Sequence, residues 1–318
     1  MKRNYTTSLR QSCRSHKLAQ ATSSRRVRAR FLLVIISLGA ALGVHCVMGK
    51  SERVLAAAPT NTIIALTANN QLLQFNAAAP GAILSTVSVK GLQAGDALVG
   101  IDFRPATGQL YGLGVNGATG RLYTINPMSG AATLVGSGFA LPQSSGVVVG
   151  KDYGFDFNPT VDRSRVVADS RDNFRLHPDM GAVAGADFAL SGGAVVVGAA
   201  YDRNFAGSKV TTLYGIDANT DQLVTIGGID GAPSPNGGVV RPVGPLGVNT
   251  SAVVGFDITV GDQGMAFATL TVDNKVGLYT IYLASGTATL IGTLGATSPI
   301  VDIAVAPAAT PQSQSRLQ

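Results

Sequence analysis

The sequence predicts an all-β fold: a single β-propeller, most simply five blades of four antiparallel strands, with one blade closed by both termini. Three observations carry this. A short apolar strand with a small residue followed by Asp recurs at intervals of 44–57 residues. Each copy is followed by turn signals and further short strands, the pattern of a propeller blade. No sustained 3.6-residue periodicity appears after residue 60, and the chain beyond Glu52 has 17 Asp and no Glu. Asp favours turns and Glu favours helices, so this bias also points to β structure.

The chain opens on a basic leader, residues 1–58. Residues 1–30 hold nine Lys and Arg and no acid, and the stretch Phe31–Val44 is uncharged and mostly apolar. A charged segment before an apolar one is the form of an export signal. The domain after it is therefore expected outside the cytoplasm, periplasmic or extracellular. Retention of residues 31–48 as an anchor is the alternative, and the only route to a membrane. Both cysteines, Cys13 and Cys46, fall in the leader, so the domain has no disulfide. Charge follows the same division. Of the 24 Lys and Arg, 11 stand in residues 1–53 against one acid; the remaining 13 face 17 acids, a net of −4. Phosphate-backbone recognition needs clustered cations, and none follows Arg53, so nucleic acid is set aside as a partner.

The propeller is expected over residues 61–306. Residues 62–89 supply three strands, and the inner strand they lack is supplied by Ile300–Ala304. This closure ties the ring and leaves no open sheet edge there. The next inner strands are Leu98–Phe103, Tyr153–Phe157, Val196–Tyr201 and Val253–Ile258; the third of these has Ala200 in place of the Asp. Second, third and fourth strands follow in turn, for example Gln109–Leu113, Arg121–Ile125 and Ala132–Gly136. Thr212–Ile216 reads as the third strand of its unit. Turns such as Arg104–Gly108 and Asn126–Gly130 pair Pro with a later Gly, which presets one backbone angle and accepts another. Residues 227–248, rich in Gly and Pro, leave six blades open as the alternative. Residues 307–318 read as a polar, disordered tail.

Phe155-Asp156-Phe157-Asn158-Pro159-Thr160-Val161-Asp162-Arg163-Ser164-Arg165-Val166-Val167, followed by Arg175-Leu176-His177-Pro178-Asp179-Met180-Gly181, resembles the bacterial family known as domain of unknown function 4394. Leu98–Pro105 and Leu122–Pro127 resemble its earlier part. The likeness covers roughly residues 62–306, with His177 where the family more often carries Asn. The resemblance implies a secreted, repeat-built β protein. It implies no activity and no catalytic residues.

Four carboxylates occupy equivalent places on the inner strands: Asp102, Asp156, Asp257 and Asp302. They are expected to form a partial ring about the channel. Its first reading is scaffold, with Asp accepting backbone N–H groups or pairing with Arg between blades. Its second is a ligand site, for a sugar or for Ca²⁺, the one cofactor the sequence suggests. Arg163, Arg165 and Arg175 concentrate in one unit with Asp162. They read as a structural charge network, with an anion site as the alternative. Asp217–Asp221 resembles the start of a calcium loop but lacks its Gly and Glu, and reads as a turn. Gly112–Gly117 satisfies G-x-G-x-x-G but precedes a strand, so it is no dinucleotide site. His177, alone in the domain, reads as a turn residue; the strand tyrosines read as core.

Function is left among three classes. The first is a non-catalytic binding or interaction module of the envelope or secreted fraction, with a protein or carbohydrate partner. The second is an Asp- and metal-dependent polysaccharide hydrolase or lyase. The third is a structural, surface-assembly protein.

Overall fold

Among the described residues, alternation along the chain becomes twenty strands in five antiparallel sheets of four. The computed structural model describes residues 61–143, 146, 150–261 and 264–307. The leader, its segment 31–48 and the tail beyond residue 307 lie outside the described residues. Among the described residues, no helix is long and apolar enough to cross a membrane.

Blade 1 joins β1 (Thr62–Thr67), β2 (Gln71–Asn76) and β3 (Ile83–Ser88) to the last strand, β20 (Ile300–Val305). Its order is β20-β1-β2-β3, with Ala65 opposite Ile303. The two ends of the domain thus meet in one sheet, as the sequence predicts. Blade 2 runs β4 (Ala97–Arg104), β5 (Gln109–Asn116), β6 (Thr119–Ile125) and β7 (Ala132–Ala140). Blade 3 runs β8 (Tyr153–Asn158), β9 (Arg163–Ala168), β10 (Asn173–His177) and β11 (Ala182–Ala186). Blade 4 is β12 (Val196–Tyr201), β13 (Leu213–Asp217), β14 (Gln222–Ile226) and β15 (Val240–Pro245). Blade 5 is β16 (Gly255–Ile258), β17 (Ala266–Val272), β18 (Lys275–Ile281) and β19 (Ala288–Thr293).

Blade 4 departs most from the repeat. Residues 202–212 form a long loop after its inner strand, so Leu213–Asp217 is the second strand and not the third. The Gly- and Pro-rich stretch from residue 227 makes two short 3₁₀ turns and then the outer strand β15. It yields no sixth blade.

Apolar side chains pack between blades, one core to each of the five seams. Between blades 2 and 3, for example, Tyr111, Leu113 and Leu122 meet Phe155, Phe157 and Phe174. Tyr111 and Phe157 pack edge to face, with ring centroids 5.1 Å apart, a geometry that aromatic quadrupoles favour. The six strand tyrosines Tyr111, Tyr123, Tyr153, Tyr201, Tyr214 and Tyr279 are all buried. The seam between blades 3 and 4 is the exception. There blade 3 contributes only Val167 from its strands to the buried apolar cluster.

Candidate functional site

The inner strands bring the four predicted aspartates to the propeller axis, and all four are buried. Each bonds to the inner strand of the next blade. The Asp302 carboxyl accepts the Ile101 N–H at 2.9 Å, Asp102 that of Phe157 at 2.8 Å, Asp156 that of Tyr201 at 3.1 Å, and Asp257 that of Val305 at 2.5 Å. Asp102, Asp257 and Asp302 also accept the N–H of the residue that follows them. Inner-strand N–H groups at the channel edge have no ladder partner, and a buried orphan costs about 1–3 kcal/mol. The carboxyls supply those partners. The seam between blades 4 and 5 lacks such a bond, because Ala200 stands where the Asp would be.

Burial dominates the electrostatics of this ring. It pushes the Asp102, Asp156 and Asp302 carboxyls well above the usual carboxylate range, and their neighbouring acids push in the same direction. Asp257 is raised to about 7 by burial, against two backbone N–H bonds that lower it. Oxygens of Asp102, Asp156 and Asp257 all lie within 4.8 Å of one another. The fit to Ca²⁺ is nevertheless poor. That ion takes six to eight oxygens, whereas only three carboxyls converge here, and Asp102 and Asp257 already accept an N–H on each oxygen. Raised by burial and hydrogen-bonded to the next blade's backbone, these carboxyls fasten one blade to another.

A different chemistry fills the seam between blades 3 and 4. Side chains alternate across a sheet. Phe174 and Leu176 of β10, with Val166 of β9, therefore join the core toward blade 2. The intervening Arg163, Arg165 and Arg175 line a cavity of about 420 Å³ toward blade 4. Tyr201, Lys209, Thr211, Asp230 and Asn236 complete much of its wall. Arg165 is 1% exposed. Its guanidinium donates to Asp187 at 2.5 Å, Asn173 at 2.7 Å, Asn236 at 2.6 Å and the Tyr201 hydroxyl at 3.3 Å. Arg175 donates twice to the same Asp187, both at 2.8 Å, and this pairing raises its own pKa.

The predicted charge network is thus divided. Arg165 and Arg175 share Asp187. Asp162 instead receives Arg104 of blade 2, at 2.5 Å and 2.8 Å, and Arg104 also reaches Asp179 at 2.6 Å. That clamp holds the Asp179 carboxyl below its ordinary range. Arg163 donates only to the backbone carbonyls of Val161 and Asp162. His177 sits in its turn and accepts the Asp179 N–H at 3.3 Å. Asp217 accepts from Val195, Asn219 and Thr220, as a turn residue does.

The family model described as domain of unknown function (DUF4394) matches residues 71–304. The chain belongs to this family. No curated protein matches it. Among solved structures, it is similar to a structural-genomics protein of unknown function from Bacteroides thetaiotaomicron. Identity is 15% and the TM-score 0.45, over 80% of this chain and 68% of that one. A chain of a nidogen/laminin complex is similar at 13% identity and a TM-score of 0.43, over 77% and 98% of the two chains.

In this DUF4394 chain, sequence reasoning reached the three pocket arginines and missed Asp187, Tyr201, Lys209 and Asn236. Strict alternation in Arg163-Ser164-Arg165 and Asn173-Phe174-Arg175 is a signal that all three arginines share one face. Nothing local in the sequence says that the long loops of blade 4 bring Lys209 and Asn236 to them. Arg165→Met should lower stability by about 2–4 kcal/mol, since it strips a buried acceptor cluster of its donor. Arg163→Met, which loses only bonds to its own turn, should stay within about 0.5 kcal/mol. Urea denaturation of both variants checks this. Equal effects would mean that the Arg165 network does not hold the seam.

Proposed function

We propose that this protein is an exported, non-catalytic binding module that takes an anionic ligand in the seam between blades 3 and 4. The observation that carries this reading is the cavity wall. Arg163, Arg165, Arg175 and Lys209 line it, and its one acid, Asp230, is held by Arg203 at 2.5 Å. In a repeat protein, neighbouring units bury a continuous apolar core. Replacing that core with cations at one seam costs stability, and a site for ligand accounts for the exception. Export is supported by the basic leader and its apolar segment. The axial carboxyls weigh against the enzyme reading, because buried acids bound to backbone are out of reach of a polymer.

Thermal unfolding in citrate, at ionic strength matched with NaCl, tests the proposal. A ligand at 100 times its Kd stabilises the folded state by about 2.7 kcal/mol. A rise in Tm is expected, and it should vanish in Arg163→Ala/Lys209→Ala. An undiminished rise in that double variant, or no rise at all, removes the anion site. An arm with Ca²⁺ against EDTA distinguishes the axial alternative: a Ca²⁺-dependent rise would move the ligand site to the aspartates.

A further inference from the structure

The hydrogen-bonding capacity of the cavity wall is lopsided. Several of its side-chain acceptors are already engaged. Asn236 Oδ1 takes Arg165 at 2.6 Å, and Asn158 Oδ1 takes both the N–H and the hydroxyl of Thr160. Asp230 is occupied by Arg203.

Donors remain in surplus. Arg175 uses Nε and Nη2 on Asp187, which leaves both Nη1 protons. Arg163 uses only Nη1. Lys209 is exposed and has no ion pair among the described residues. A ligand here must therefore bring acceptors, and guanidinium forks favour the paired oxygens of a carboxylate or phosphate.

Volume excludes the simplest such ligand. A water molecule takes about 30 Å³ of liquid, so about 420 Å³ is far more than one inorganic anion fills. It lies within the range for organic ligands, roughly 300–1,000 Å³. The rest of the wall suits a body that is both hydroxylated and carbon-rich. Asn158, Asn236, Thr160 and Ser234 are polar and uncharged, while Val161, Val210 and Pro235 offer apolar surface. Val161 and Val210 are otherwise unexplained exposed hydrophobics.

Resting on the anion reading above, we propose that the ligand is an acidic sugar: a polyhydroxylated body of one or two rings that carries carboxylate or phosphate groups. The anionic groups meet Arg163, Arg175 and Lys209, and the ring lies against the valines. Arg165, with its donors already engaged, is a positioning residue. It fixes Asp187, and so Arg175, and it holds Asn236 in the wall.

Titration calorimetry of the full chain tests this with five probes: digalacturonate, glucose 6-phosphate, the neutral disaccharide cellobiose, citrate and inorganic phosphate. An acidic sugar of at least one source should bind ten-fold or more tighter than cellobiose, citrate and inorganic phosphate. The uronate and phosphate arms show which source is preferred. Lys209→Ala, an exposed and unpaired position that leaves the fold intact, should weaken that binding about ten-fold. Val210→Ser, which removes apolar surface without adding charge, should weaken it as well, while sparing inorganic phosphate. If citrate or phosphate binds as tightly as both acidic sugars, the acidic-sugar proposal fails and the anion site stands. If none of the anions binds, both fall.

Discussion

Raising the pH from 4 to 8 should destabilise this propeller, the reverse of the trend set by salt-bridged carboxylates. Asp257 shows why. Its carboxyl titrates near 7 in the folded state, and burial is the cause. In the unfolded chain an Asp titrates near 3.9. Below that value the group is protonated in both states, and its contribution to stability is fully present. As the pH rises toward 7 the unfolded chain gives up its proton while the folded one keeps it. Stability is lost through that window and levels off above it. A gap of about three pKa units corresponds to something on the order of 4 kcal/mol. Asp102, Asp156 and Asp302 are raised as well, with burial again the leading cause, and add to the loss as the pH rises. Asp179, lowered by Arg104, works in the opposite direction but is mostly exposed, where ion pairs count for little.

Denaturant midpoints between pH 4 and 8 measure the slope, and Asp257→Asn separates its causes. The amide keeps one acceptor for the two N–H groups of Ile258 and Val305. The variant should therefore be weaker than the wild type at pH 4, yet show a shallower fall toward pH 8. A wild type that gains stability over this range would mean that the aspartates are ionised and paired with something else, and the fastener reading of the axis would be lost.

The blade count, the closure by both ends and the four aspartates were legible because each recurs. A repeat repeats its constraints, and one copy can be checked against the next. Ala200 was visible as a gap for the same reason. The cationic seam was half legible. Arg163, Arg165 and Arg175 announced themselves by alternation, but their partners did not. Asp187 comes after the blade has ended, and Asn236 stands 71 residues from the Arg165 it binds. Lys209 lies in a loop with no counterpart in the other blades. Departures from the repeat place these groups, and long-range loop packing has no periodicity to read. Asp162 was grouped with the arginines beside it in sequence; its partner, Arg104, is 58 residues away in the previous blade. Sequence proximity misleads here because a turn residue faces outward from its own sheet and meets the neighbouring one.

Gly255→Val should abolish folding or cost well over 3 kcal/mol, beyond the usual penalty for an overpacked core. The reason lies in the glycine that stands two places before Asp102, Asp156 and Asp257. Inner strands crowd together near the axis, where five blades converge. A Cβ on Gly255 would lie 2.7 Å from both the Asp302 carbonyl carbon and the Ile303 nitrogen. A Cβ on Gly154 would stand 2.6 Å from the nitrogen of Ala199. These neighbours are backbone atoms of the next blade's inner strand, which no rotamer change can move aside. The contacted strand is also the one that Asp257 fastens through Val305. A bulkier residue at 255 would thus lift β20 from its place and break the bond that closes the ring. Gly108→Ala provides the contrast: its φ of +70° is strained for Ala, but nothing lies within 4 Å of the new methyl. That variant should lose only about 1 kcal/mol and remain folded. Expression and circular dichroism of the two side by side decide the matter. A folded Gly255→Val of near-normal stability would show that the blades can spread at the axis, and that the recurring Gly-x-Asp pattern is not a packing requirement.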